Sequence, residues 1–160
     1  MENLRGELHP AHAHLPAHIT VLPPRCLQGS EAEALAVVQQ ICRETNPFDV
    51  SLGDVENFMP VTPTVFIRVA FAAYRLRELH DKMNIGALGY AEQWPYMPHL
   101  TVAKLDSLAD AACSLEIARR RWAKFDQPRK VTIEELTFVR QSDDCHSWID
   151  IAPVALGKRP

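Results

Sequence analysis

Long apolar runs are missing from this chain. No stretch of its 160 residues approaches the roughly 18 to 20 that a membrane-crossing helix needs, which argues against insertion into a bilayer. Paired cysteines are missing too: Cys26, Cys42, Cys113 and Cys145 form no C-x-x-C and have no zinc-like spacing, so reduced, mostly buried thiols are expected. The start, MENLRGELHP, lacks the apolar run of a signal peptide, and a cytoplasmic setting is the corresponding expectation. Massed positive charge is absent as well. Net charge is −3 with Lys and Arg scattered, which argues against long duplex nucleic acid as a partner but leaves room for a nucleotide or an RNA end held by two or three local cations. What the chain does have is 47% hydrophobic residues, enough for one monomeric domain over 1–160 that buries its core without disulfides or structural metal.

Self-similarity organises the rest. A first copy, about 16–70, opens with PAHITVLPP, a β-branched run closed by prolines that cannot continue a central strand. Ser30-Glu-Ala-Glu33 then has the pattern of a capping box, starting a helix with Leu35, Val38, Ile41 and Cys42 on one face and ending near Asn46-Pro47. Phe48–Phe58 and Thr64–Ala70 read as strands around a Met59–Pro63 turn. A second copy, about 97–154, opens with MPHLTVAKL, starts a helix at Ser107 that carries Leu115, Ala118, Trp122 and Phe125, and continues into strands at Lys130–Arg140 and His146–Ile151. His18 to His99 and Val50 to Val131 are each 81 positions apart. A linking helix at about 71–84 presents Leu76, Leu79 and Met83. Such a duplication predicts an α+β fold: two similar lobes with pseudo-two-fold symmetry, antiparallel sheets lining a central cleft, and helices outside.

Each copy begins with His-x-Thr. In a strand, residues i and i+2 share a face, so His18 and Thr20 project together while Ile19 and Val21 point away, and His99 and Thr101 do the same against Leu100 and Val102. Seven His and seven Thr in a chain of this length predict about 0.3 such pairs by chance, and two occur at matching positions. Two imidazoles across a cleft suit displacement at phosphorus, one removing a proton from the attacking oxygen and the other protonating the leaving oxygen. Hydroxyls beside them would hold the non-bridging oxygens.

The motifs HITV and HLTV, about 80 residues apart, resemble those of the two-histidine (2H) phosphoesterase superfamily, in particular its 2′-5′ RNA ligase-like, RNA 2′,3′-cyclic phosphodiesterase branch. The likeness in layout runs from about Ala17 to Val154, while the specific residues are those of the two motifs. It implies a bilobal α+β protein that opens 2′,3′-cyclic phosphates on RNA or nucleotides, usually to a 2′-phosphate, with no cofactor and no metal. Carried over, His18 and His99 are the acid–base pair, His18 acting toward the 3′-oxygen and His99 toward water, with Thr20 and Thr101 on the phosphate. The first motif continues as Leu-Pro-Pro-Arg25, shorter than the apolar strand common among ligase-like members, and the second as Ala-Lys104. Cyclic oligonucleotides, ADP-ribose cyclic phosphate, reversible 2′-5′ ligation and nucleotide binding without turnover are the alternatives.

Arg25 and Lys104 follow the motifs and are either phosphate-binding charges or solvated surface cations. Trp94, Tyr96 and Tyr90 precede the second motif, where a ring either stacks on a base or packs locally. His146 opens the last strand without a partner in the first copy, and reads as structural or exposed. His9, His12 and His14 lack ligand spacing and a carboxylate set, so no metal is expected there. Arg119-Arg-Arg121 reads as a solvated helix face.

Overall fold

The computed structural model describes residues 2–10, 15–143 and 147–157. The expectations for His12, His14, Cys145 and His146 therefore lie outside the described residues. The elements run α1 (Glu2–Leu8), α2 (Glu31–Glu44), β1 (Phe48–Asn57), β2 (Thr64–Val69), α3 (Ala73–Met83), β3 (His99–Lys104), α4 (Leu108–Ala123), β4 (Lys130–Ile133), β5 (Glu135–Gln141) and β6 (Trp148–Ala155). This is an α+β architecture. One sheet has the strand order β3-β2-β1-β4, with β1/β2 and β2/β3 antiparallel, and β5 and β6 form a separate antiparallel pair.

Two compact units each gather three separated stretches of chain: Met1–Thr20, Val50–Ala73 and Met97–Lys130 in the first, and Val21–Asp49, Tyr74–Tyr96 and Val131–Pro160 in the second. In the first, β2 reads TVFIRV, and alternation sends Val65, Ile67 and Val69 to one face. Val65 and Ile67 join Val55, Val102, Leu115, Ala118 and Trp122 in a core against α4. The Trp122 indole N–H donates to the main-chain oxygen of Gly53 at 2.7 Å, which satisfies the polar edge of a buried ring.

In the second unit, α2 starts at the capping box as expected. The Ser30 hydroxyl accepts from the Glu33 N–H at 3.2 Å, and the Glu33 carboxylate accepts from the Ser30 N–H at 2.8 Å. Ala34, Val38 and Cys42 are buried on its inner face, and α3 buries Leu76, Leu79 and Met83.

Four expectations are corrected. The segment around Ile19 is no strand: it makes an isolated antiparallel bridge, Ile19 to Leu100, bounded by prolines at 16, 23 and 24, and its Ala17 N–H goes to the Glu2 carboxylate instead of a ladder. Lys130–Arg140 is two strands, since the chain changes partner at Glu134: β4 joins the four-stranded sheet and β5 pairs with β6. The last strand runs to Ala155 through Pro153, which a two-stranded ribbon tolerates because each strand keeps an open edge. Of the described cysteines, Cys26 and Cys113 are exposed and only Cys42 is buried, its thiol pushed up to about 11 by burial.

Candidate active site

All four motif residues fall within the first unit. The Ile19–Leu100 bridge is antiparallel, so His18 lies beside Thr101 and Thr20 beside His99. Each motif's histidine therefore neighbours the other motif's threonine. The two histidines are thus diagonal neighbours across this bridge, close enough that the charge of His18 bears on His99. Leu100 is buried on the opposite face, so alternation directs His99 and Thr101 away from the core.

The two imidazoles are oriented alike. His18 Nδ1 lies 2.8 Å from the Pro16 oxygen, and His99 Nδ1 lies 2.6 Å from the Met97 oxygen, each two residues back. A carbonyl only accepts, so each Nδ1 carries the hydrogen and each Nε2 is left to face outward as lone pair or second N–H.

Their surroundings differ. His18 is exposed, whereas the His99 ring packs against Phe66 and Phe58 with centroids 5.1 Å away in both cases, the Phe58 contact edge-on and the two phenyl rings stacked at 4.2 Å. Burial against these rings holds the His99 pKa below the usual 6.5. The Met97 carbonyl opposes that shift, and the neighbouring charge of His18 adds to it.

What aligns the first motif without a strand is α1. Arg5, 6% exposed, donates from Nε to the Thr101 oxygen at 3.2 Å and from Nη1 to the Leu15 oxygen at 2.7 Å. The same nitrogen meets Glu2 at 2.9 Å, and the other oxygen of Glu2 accepts the Ala17 N–H at 2.5 Å. That backbone bond is the main reason the Glu2 carboxyl is held below its usual pKa. Sequence reasoning missed Arg5 and Glu2; their spacing of three on a short helix was the available signal.

A family model described as the 2′-5′ RNA ligase superfamily matches residues 1–144, a span that takes in both motifs. The chain belongs to this superfamily of 2H phosphoesterases. It is 29% identical over 126 residues, 78% of this chain and 73% of the relative, to a Bacillus thuringiensis protein named "Putative phosphoesterase". A similarly named Bacillus cytotoxicus protein is 30% identical over 125 residues, 76% of this chain and 70% of the other. A third such relative, from Oceanobacillus iheyensis, is 29% identical over 104 residues, and the match spans 63% of this chain and 59% of that protein.

Four candidates of this superfamily member remain, Lys104, Arg25, Trp94 and Tyr96. Lys104 ends β3, exposed and three residues beyond Thr101, roughly 10 Å along the strand. Its main-chain N–H lies 3.2 Å from His9 Nδ1. Arg25, Trp94 and Tyr96 belong to the second unit. There the Arg25 side chain is 4% exposed and bonded to Glu92 at 2.5 Å and Asn84 at 2.7 Å. Tyr96 stacks on buried His80 at 4.3 Å, and burial pushes its phenol upward. His80 Nε2 meets Glu92 at 3.1 Å. Trp94 is 59% exposed and lines a hollow of about 590 Å³ with Arg77, His80, Asn84 and Tyr96. No cluster of three or more candidate metal ligands occurs among the described residues, nor any helix long and apolar enough to cross a membrane.

Proposed function

We propose that this chain is a metal-independent phosphodiesterase that opens the 2′,3′-cyclic phosphate of an RNA end or a nucleotide to a 2′-phosphate. The observation that carries the reading is the matched pair of Nδ1-anchored imidazoles, each beside the other motif's threonine.

In the forward step His99, kept neutral by its apolar wall, takes a proton from water through Nε2 as the water oxygen bonds to phosphorus. The bond from phosphorus to the 3′-oxygen breaks, and His18 Nε2–H delivers a proton to that oxygen. One proton enters the pair and one leaves, so the net change is addition of water. Thr20 and Thr101 donate to the non-bridging oxygens as negative charge grows there. Both proton transfers are supplied by side chains, so the step needs no Lewis acid. The superfamily's name favours a second reading on the same atoms, 2′-5′ RNA ligation, in which a ribose hydroxyl and a cyclic phosphate run the displacement with a nucleoside in place of water. In either direction the proposed partner is an RNA end or nucleotide, met by a monomer in the cytoplasm.

The test is hydrolysis of nucleoside 2′,3′-cyclic phosphates, and of an RNA ending in one, with EDTA present. His18→Ala and His99→Ala are each expected to lose about 10²- to 10⁴-fold in kcat, with a 2′-phosphate as product. Turnover that survives both substitutions would sink the mechanism, and a 3′-phosphate product would exchange the roles of the two histidines.

A further inference from the structure

Strand β2 carries one charge in an otherwise uncharged hexapeptide, Arg68 in TVFIRV. With Val65, Ile67 and Val69 turned to the core, alternation places Phe66 and Arg68 on the other face. The β2/β3 register pairs Phe66 with Thr101 and Arg68 with His99. Directly opposed residues share a face, with Cβ atoms about 4.5 to 5.5 Å apart, so the Arg68 side chain starts beside the His99 imidazole. On β1, Glu56 is paired with Phe66, and its carboxylate meets Arg68 Nε at 3.0 Å, a diagonal contact on the same face. Side-chain exposures of 47% and 38% leave both partners wet.

An ion pair this exposed contributes little net stability, so structural need does not account for the charge. The chemistry of the face does. A phosphate lying between His18 and His99 is an anion next to two neutral hydroxyls and a ring, His99, whose apolar wall disfavours its charged form. Arg25 is committed to Glu92, Arg5 to Glu2 and main-chain oxygens, and Lys104 lies down the strand. A guanidinium fork matches phosphate oxygens bidentately and keeps its charge at any working pH.

The geometry points to Arg68 as the anion-binding residue of the histidine face, with Glu56 as the counter-ion that holds its guanidinium until a phosphate displaces the carboxylate. This rests on the proposed two-histidine reading for its location, not for its measurement. It makes the site selective by charge: the dianionic phosphomonoester product is held more tightly than the monoanionic diester. Glu56 sets the threshold for both. The two partners therefore act with opposite sign on anion affinity, which a merely structural ion pair would not do.

The experiment titrates inorganic phosphate into the full chain while following the His18 and His99 ring resonances by NMR, alongside KM and kcat on a nucleoside 2′,3′-cyclic phosphate. R68M is expected to weaken phosphate at least tenfold and to raise KM by a similar factor with a smaller change in kcat, with R68K intermediate. E56Q is expected to tighten phosphate and lower KM severalfold. Phosphate affinity unchanged in R68M, or a shift of the same sign in R68M and E56Q, overturns the assignment, as does a wild type that binds no phosphate. Phosphate binding through Arg68 without turnover would defeat the hydrolytic reading and leave this one standing. Hydrolysis with R68M equal to wild type in both readouts does the reverse.

Discussion

Arg5 reaches across 96 positions to the main-chain oxygen of Thr101, and the same guanidinium holds the Leu15 oxygen just ahead of the first motif. One buried side chain on α1 thus ties the segment carrying His18 to the strand carrying His99. Arg5→Met would remove charge-assisted bonds worth about 1.5 to 3 kcal/mol each and free the segment that carries His18. Because small misplacements cost catalysis up to about 10²-fold, we expect kcat to fall about 10- to 100-fold with KM less affected. Steady-state kinetics beside the His18 ring resonance checks this; an unshifted resonance with wild-type kcat would remove Arg5 from the positioning role.

The clamp is also a pH device. Glu2 is held low by the Ala17 N–H, so what it contributes is present above the ordinary carboxylate pKa and is lost as pH falls through its lower folded value. The exchange protection of the Ala17 amide, taken relative to its intrinsic rate at each pH, is expected to fall on acidification toward that value, and more steeply than in Glu2→Gln, which lacks the titration.

For His99 the sign is the same and the cause differs: burial disfavours the charged ring instead of a hydrogen bond favouring the charged carboxylate. Its folded pKa lies below 6.5, so the unfolded chain binds the proton first, and acidification from about 6.5 toward the folded value costs stability. As a base it stays neutral to lower pH than a free imidazole, which extends the acid limb of kcat downward. Phe58→Ala opens the wall, and both the NMR titration midpoint of His99 and the acid limb are expected to move up. A midpoint that does not move would assign the depression to something other than that ring.

In the second unit, Glu92 carries Arg25 and His80 together at side-chain exposures of 16%, 4% and 6%. Removing one partner of a buried pair leaves the other uncompensated, at a cost of about 3 to 5 kcal/mol. Thermal unfolding of Glu92→Ala is expected to show a loss of that size. A loss below about 1 kcal/mol would mean that water reaches Arg25.

Much of the layout was legible because its signals are local. Ser30-Glu-Ala-Glu33 contains both halves of a capping box, and α2 starts there. Leu76, Leu79 and Met83 fall at helical spacing and are buried together. The split of Lys130–Arg140 was not legible, since a strand's change of hydrogen-bond partner leaves period-two alternation intact. The fate of Arg25 was hidden for a related reason. Its partners are 59 and 67 positions away, and a cation just after a motif looks the same whether it meets a phosphate or a buried carboxylate.

The sequence by itself determined which residues are the candidates for the chemistry, because His-x-Thr twice at a separation of 81 is a pattern of residue types and spacing that requires no coordinates. Only the tertiary structure decided how those residues stand to one another. The crossing of His18 with Thr101 and of Thr20 with His99, the pairing of Arg68 with His99, the Phe58 and Phe66 wall and the Arg5 clamp all depend on antiparallel register. Register is set by which faces are buried and which distant backbone groups find donors, and that is a property of the assembled chain.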